Sequence, residues 1–125
     1  MNGICLVAGL LMVQFGDDVT LRWTHSIQKT VWEEDYRREG DALRLIEARI
    51  QGTGAGMEPP EGAVLRDGFW HYTPALPSLP HVQLRHSPYV IGYTVCADGR
   101  CLGMADWLPG LATETVVRLQ PCPVN

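Results

Sequence analysis

The sequence contains no cluster of basic residues, no internal repeat and no low-complexity tract. Its ten lysine and arginine residues are scattered along the chain, and the formal net charge is −4. This distribution argues against a nucleic-acid partner, since nucleic-acid-binding domains present a basic face. Charged residues amount to 19% and hydrophobic residues to 46%, a balance that excludes a disordered chain. We therefore expect one globular domain spanning residues 1–125.

The N-terminal apolar run lacks the features of a membrane span and of a clear export signal. ICLVAGLLMVQF, Ile4–Phe15, is shorter than the roughly 20 apolar residues that cross a bilayer. Its length suits a signal-peptide core, but no lysine or arginine precedes it and no clean small-residue cleavage site follows. We predict a buried strand, which FGDD turns into a hairpin with a second strand, Val19–Ile27.

Several catalytic and nucleotide-binding motifs are also missing. The segment GTGAGMEPPEG, Gly52–Gly62, has G-x-G-x-G spacing, and its prolines prevent the helix that a dinucleotide fingerprint requires. It lacks Gly-Lys-Ser/Thr, so it is not a P-loop. No nucleophile-elbow glycine pattern occurs, and His25 has no second histidine at metal-ligand spacing. The sequence thus predicts no cofactor and no metal site.

Short runs rich in β-branched and aromatic residues fill most of the chain. The turn signals GDD, EGD, RDG and ADG separate them, as in antiparallel sandwiches and small barrels. We predict an all-β fold, a single-domain antiparallel sandwich or small barrel built from hairpins. The predicted strands are Ile4–Phe15, Val19–Ile27, Thr30–Glu39, Leu43–Gln51, Ala63–Leu65, Phe69–Tyr72, Val82–His86, Tyr89–Ala97, Arg100–Met104 and Glu114–Leu119.

The segment DALRLIEARIQG also fits a helix. Asp41 suits the N-cap, Gly52 suits the C-terminal stop, and Leu43, Ile46 and Ile50 form a helical stripe. Intrinsic propensity favours this helix. An α+β fold with one helix near 41–51 is therefore the alternative, and a strand forms here only if a neighbouring sheet pairs with it.

The segment CADGRC predicts a disulfide-bonded hairpin. Asp98-Gly99 suits a two-residue type I′ turn, because both positions need positive φ. Cys96 and Cys101 then form a non-hydrogen-bonded pair with Cα atoms about 4.5 Å apart, a separation that a disulfide tolerates. The remaining cysteines, Cys5 and Cys122, either complete a site with this pair or bond to each other. A disulfide indicates an oxidising compartment.

The polar segment RWTHSIQKTVWEEDY, Arg22–Tyr36, carries the candidate binding residues. On a strand, Trp23 and His25 share one face. We expect the turn after His25 to meet the glycine-rich loop at one rim, where cationic side chains and open amides would hold a carboxylate. The predicted ligand-binding residues are Arg22, His25, Ser26, Lys29, Thr30, Glu33, Glu34, Gly54, Gly56, Met57 and Glu58.

Two alternatives to a binding site follow from the same residues. His25 with Ser26 or with Glu33/Glu34 supplies the residue types of a small hydrolase, but adjacent residues point to opposite faces of a strand. The prolines of TPALPSLPH have polyproline II spacing, and the stretch Phe69–Pro80 would serve a pure protein-interaction module. A proline-rich connector is the simpler interpretation of this stretch.

The segments LRWTHSIQKTVWEEDY, GTGAGMEPPEG and DGFWHY together resemble a bacterial family known as domain of unknown function 1850. The resemblance extends from about Cys5 to Cys122. On the family's H-S-x-x-K-T hairpin motif lie His25, Ser26, Lys29, Thr30 and Glu33 or Glu34. On its G-x-G-A-G-M/L loop motif lie Gly54, Ala55, Gly56 and Met57.

The resemblance implies a role in solute uptake. Similar proteins are encoded beside tripartite periplasmic (TRAP) transporters of the TAXI type, whose binding proteins capture small organic anions. We therefore expect a non-enzymatic accessory module that binds a TRAP component or a small organic anion. A periplasmic or cell-envelope location would suit the predicted disulfide, with a cytoplasmic location as the alternative.

Overall fold

The structure, a computed structural model, describes residues 2–25, 29–52 and 59–123. Within this part of the chain, eleven strands and one short helix form. They are β1 Ile4–Ala8, β2 Leu11–Gln14, β3 Asp18–Thr24, β4 Val31–Glu39, β5 Ala42–Gln51, β6 Val64–Arg66, β7 Phe69–Tyr72, β8 Val82–His86, β9 Thr94–Ala97, β10 Arg100–Gly103, α1 Met104–Trp107 and β11 Thr115–Pro121.

The strands form two antiparallel sheets packed face to face. The smaller sheet has the order β2-β1-β11-β8, and the larger has the order β10-β9-β3-β4-β5-β7-β6. The two sheets do not close into a barrel. The predicted all-β class is therefore confirmed, as a sandwich. In the described residues, no helix is long and apolar enough to cross a bilayer.

A single cluster of buried side chains lies between the sheets. Fully burying one such aliphatic side chain stabilises the fold by about 1.5–3 kcal/mol. The smaller sheet contributes Ile4, Leu6, Leu84, Val117 and Leu119, and the larger sheet contributes Val19, Leu21, Tyr36, Leu43, Leu45, Val95 and Ala97. Trp32, Ile50 and Trp70 of the larger sheet lie outside this cluster. The core thus packs against only part of the larger sheet.

The segment predicted as either strand or helix is strand β5, so the helical alternative near 41–51 is wrong. In the β4–β5 ladder Tyr36 pairs with Leu45 and Asp35 pairs with Glu47, which leaves Ile46 as the extra residue of a β-bulge. A bulge shifts which residues point inward by one position. Leu43 and Leu45 are inward before it, whereas Ala48 and Ile50 are inward after it. This change of phase gave the sequence its helix-like spacing.

The N-terminal run forms two strands rather than the one that was predicted. Ala8 pairs with Leu11 across a two-residue turn, in which Gly9 has a φ of 58°. Glycine is favoured at this first central position in type II′ hairpins. The predicted hairpin with Val19–Ile27 is wrong, because β1 pairs with β2 and β11 while β3 belongs to the other sheet.

All four cysteines form disulfides. Cys96 pairs with Cys101 across the β9–β10 hairpin, as predicted, and Asp98 and Gly99 both have positive φ in its turn. The second disulfide joins Cys5 to Cys122, with Cα atoms 4.9 Å apart and a sequence separation of 117. Of the two alternatives for Cys5 and Cys122, the structure thus has the direct bond and not a metal site.

The proline-rich stretch is an extended connector between β7 and β8. Leu79 exchanges two backbone hydrogen bonds with Leu43, at 2.7 and 2.8 Å. These bonds fix the stretch against the edge of β5, while Leu76 is exposed.

The two disulfides differ in the length of chain that they close, and their stabilising effects should differ accordingly. On the chain-entropy view, removing the Cys5–Cys122 bond lowers the free energy of unfolding by about 5 kcal/mol, and removing the Cys96–Cys101 bond lowers it by about 2 kcal/mol. We expect urea unfolding of the Cys5→Ala/Cys122→Ala and Cys96→Ala/Cys101→Ala proteins to give this order. Equal losses would contradict it.

Candidate ligand-binding site

The β3–β4 hairpin places the predicted site residues at one end of the larger sheet. Thr24 pairs with Val31 as the last step of the ladder. Beyond it, the His25 amide donates to the Thr30 carbonyl at 2.9 Å, and the Lys29 amide donates to the His25 carbonyl at 2.8 Å. Thr30 is buried and Lys29 is exposed. The turn therefore fixes His25 and Thr30 and leaves the Lys29 ammonium in solvent.

The ends of the glycine-rich loop lie beside this turn. The Val31 amide donates to Gln51 Oε1 at 3.1 Å, and the Gly52 amide donates to the Gly68 carbonyl at 2.8 Å. The hairpin turn and the loop thus start from the same end of the sheet. Among the predicted site residues, Ser26, Gly54, Gly56, Met57 and Glu58 lie outside the described residues.

A row of aromatic rings covers the inner face of this end. The ring centroids of Tyr93 and Trp23 are 5.5 Å apart, and those of Trp23 and Trp32 are 6.2 Å apart. The His25 ring stacks on Trp32 at 6.0 Å. All four side chains are half-buried. Trp23 and Tyr93 pack against the main core, whereas Trp32 lies outside it, so the row extends the apolar inner face beyond the core.

A groove of about 360 Å³ lies at the edge of the aromatic row. Trp23, Thr24 and His25 form one wall, and the segment 89–91 forms the other. This segment was predicted to begin a strand, but β9 starts only at Thr94. Instead, Ser87 Oγ accepts the Tyr89 amide at 3.1 Å and holds a turn. The turn leaves three apolar side chains exposed: Tyr89 by 83%, Val90 by 43% and Ile91 by 51%.

Glu34 lies on the same inner face, half-buried among tyrosines. It pairs in register with Leu21 and Ala48, and the Tyr36 hydroxyl donates to its Oε1 at 3.0 Å. Burial raises the pKa of Glu34, and the hydrogen bond from Tyr36 offsets only part of this shift. Burial and the charge of Glu34 raise the pKa of Tyr72 and of Tyr93. The negative charge of Glu34 therefore acts on the phenols of Tyr36, Tyr72 and Tyr93.

The outer face of the same strands carries a network of ion pairs. Arg49 Nε donates to Glu33 Oε1 at 2.8 Å, and its Nη atoms donate to Asp35 at 2.6 and 2.7 Å. Arg22 lies 3.1 Å from Glu33, and Thr20 donates to Asp35 at 2.7 Å. Burial alone would raise the pKa of Asp35, but the hydrogen bonds from Arg49 and Thr20 hold it below its usual value. These acids are fully compensated.

The network continues to the edge of the sheet through His71. Its Nδ1 lies 2.6 Å from Glu47 Oε1, and its Nε2 lies 3.2 Å from the Arg66 carbonyl oxygen. Glu47 also accepts a hydrogen bond from Arg49 at 3.1 Å. Burial opposes the charge on Glu47, but the hydrogen bonds from His71 and Arg49 lower its pKa. The outer network thus spans β3, β4, β5 and β7.

The predicted site residues therefore separate onto two faces. His25 and Glu34 lie on the inner face, whereas Arg22 and Glu33 lie on the outer face and bind each other. Arg22 and His25 thus lie on opposite faces of the larger sheet. For a hydrolase, Glu33 is already bound by two arginines, and Glu34 receives the Tyr36 hydroxyl.

Several residues of the two faces were missed by sequence reasoning. Side chains alternate along β4, so Asp35 lies on the same face as Glu33. This pattern could have identified Asp35 as a member of the outer network. Arg49 had no such signal, because the bulge at Ile46 hides the phase of β5. Tyr72, Tyr93 and the segment 89–91 join the site only through strand pairing and a long connection, which local patterns do not report.

The fold and these faces define a class: an antiparallel β-sandwich with an open, aromatic end and an ion-paired outer face. The profile of the family described as "Domain of unknown function (DUF1850)" matches residues 19–104. The chain belongs to this family, as the resemblance of its motifs indicated. No curated protein and no solved structure matches the chain.

The outer network gives a prediction about Arg49. Arg49→Met removes the partner of three half-buried acids and should lower the free energy of unfolding by about 2 kcal/mol. The matched control is Arg44→Met, on the same strand, whose only ion pair in the described chain is an exposed contact with Glu39 at 3.4 Å. This control should cost at most about 0.5 kcal/mol. Urea unfolding measures both, and equal losses would refute the assigned importance of Arg49.

For Glu34, on the inner face, we expect the opposite effect: removing its charge should stabilise the fold. The pKa of Glu34 is raised above its usual 4.5, so its stabilising contribution is present below that value and is lost as pH rises through the folded-state pKa. Glu34→Gln keeps the acceptor for Tyr36 and removes the charge. It should raise Tm at pH 7.5 by about 3–5 °C, as for a gain of roughly 1 kcal/mol, and the gain should vanish near pH 4.

The matched control for this prediction is Glu114→Gln, at an exposed position. It should leave Tm nearly unchanged at both pH values. Differential scanning calorimetry measures the melting curves of both variants and of the unmodified protein at the two pH values. A lower Tm of Glu34→Gln at pH 7.5 would mean that the Glu34 charge stabilises the fold, contrary to this interpretation.

Proposed function

We propose that this protein is a non-enzymatic accessory module of the cell envelope that binds the solute-binding protein of a TAXI-type TRAP transporter. The contact surface is the groove between Trp23–His25 and the segment 89–91. Apolar side chains supply the contact area, and Lys29 supplies a charge at the rim.

One observation carries the binding role. Tyr89, Val90 and Ile91 are consecutive, apolar and exposed, and they face a groove whose other wall is aromatic. A short turn held by Ser87 keeps them in solvent rather than folding them into the core. Exposed apolar side chains at an aromatic groove are typical of protein-interaction sites. Lys29, exposed at the hairpin tip, forms no ion pair with another described residue and can meet an acidic group of the partner.

Two further observations support the setting. Both disulfides suit an oxidising compartment such as the periplasm. Membership of the family fits the resemblance to proteins encoded beside TAXI-type transporters. The engagement of Glu33 by Arg22 and Arg49 favours a binding role over a hydrolase that would use this acid as a base.

The proposal predicts the effect of trimming the groove. Binding of the purified protein to the TAXI solute-binding protein of the same genome can be measured by biolayer interferometry. Val90→Ala and Ile91→Ala should each weaken binding by about threefold to tenfold, as expected for losing roughly 1 kcal/mol of buried apolar contact. Both residues are exposed in the free protein, so the fold should be unaffected.

The matched control is Val116→Ala. Val116 is 51% exposed, close to the exposure of Ile91 and Val90, but it lies on the smaller sheet. This variant should bind like the unmodified protein. Absence of binding by the unmodified protein would reject the proposed partner, and equal binding by all variants would place the contact elsewhere.

A further inference from the structure

We propose that Glu34 anchors a binding site for a small organic cation, an ammonium compound held between this carboxylate and the neighbouring rings of Trp23, Tyr72 and Tyr93. This site shares Trp23 with the partner contact proposed above but is centred on Glu34, and it does not depend on that contact.

The charge balance of strand β4 singles out Glu34. Glu33, Glu34 and Asp35 are consecutive. Arginines bind Glu33 and Asp35 on the outer face of the sheet. Glu34 forms no ion pair with any described residue, and its hydrogen-bond donor in the described chain is the neutral Tyr36 hydroxyl. A half-buried carboxylate without a cation is costly. A bound cation would supply the missing charge.

The side chains around Glu34 are suited to binding an organic cation. Trp23 and Tyr93 are in contact at 5.5 Å, and both are half-buried on the face that Glu34 occupies. Faces of tryptophan and tyrosine attract ammonium groups, and a site that combines such rings with a carboxylate is the usual receptor for organic cations. The phenols of Tyr72 and Tyr93 lie within the field of Glu34, since its charge contributes to the rise of the pKa of both.

Strand pairing places Glu34 and Tyr72 on either side of one small residue. The cross-strand row on this face runs Leu21, Glu34, Ala48 and Tyr72. Ala48, the smallest residue of the row, lies between Glu34 and Tyr72 and is buried. Glu34 and Tyr72 are only half-buried, so both polar side chains are partly accessible to solvent. A small ammonium ion can therefore approach the carboxylate and the phenol from solvent.

The experiment uses the full chain and three probes: tetramethylammonium chloride, choline chloride and, as the ionic-strength control, sodium chloride. Tryptophan fluorescence reports binding because Trp23 lies at the proposed site, and calorimetry gives the affinity. At pH 7.5 we expect saturable binding of both organic cations and none of sodium. Glu34→Gln should weaken their binding at least about tenfold, and the matched Glu114→Gln should not.

Two further measurements distinguish a role of Glu34 in cation binding from a purely structural role. Binding should weaken as pH is lowered through the titration of Glu34, and this pH dependence should be absent from Glu34→Gln. Choline should raise Tm of the unmodified protein and not of Glu34→Gln. Val90→Ala should leave choline binding unchanged, which separates this site from the partner contact. Absence of saturable binding by both organic cations, or equal binding by Glu34→Gln, would overturn the proposal.

Discussion

The register of the β3–β4 pair is the constraint on which the site depends. Trp23 lies opposite Trp32, Arg22 opposite Glu33 and Leu21 opposite Glu34. Because side chains alternate between faces, a slip of β3 by one residue would turn Arg22 inward and Trp23 outward, and would break the pairing of Arg22 with Glu33. The buried side chains Val19 and Leu21 on the same strand prevent this slip, since they are part of the core. The core therefore fixes the composition of both faces.

The β-bulge at Ile46 completes this arrangement on the next strand. Without the extra residue, the alternation set by Leu43 and Leu45 would continue and point Glu47 and Arg49 into the aromatic face. The bulge reverses the phase, so that Arg49 reaches Glu33 and Asp35 on the outside. Ala48 instead lies inside, next to Glu34. One inserted residue thus places Arg49 in the outer network and the small side chain of Ala48 beside the inner carboxylate.

The same two features decide what the sequence could predict. Alternation and turn chemistry are local, so the all-β class, the β3–β4 hairpin and the Cys96–Cys101 bond were accessible from the sequence. The bulge at Ile46 mimics a helical stripe, and only pairing with β4 resolves it. The Cys5–Cys122 bond joins positions 117 residues apart, and no local pattern reports such a contact. For the site, His25 and Glu34 were identified, but Tyr72 and Tyr93 reach them only through the topology of the larger sheet.

Stability and binding make opposite demands on strand β4. Three consecutive acids on a strand must place at least one side chain on each face, and here the face of Glu34 is the inner one. On the outer face, Arg49 and Arg22 offset the charges at little cost. On the inner face, burial disfavours the charge of Glu34 and raises its pKa. The carboxylate therefore lowers stability where it stands, and a disulfide that closes most of the chain provides a margin for this loss. Residues that reduce stability are commonly those that serve a function, which is why the inner carboxylate, rather than the arginine-bound acids beside it, is the strongest candidate for a specific function.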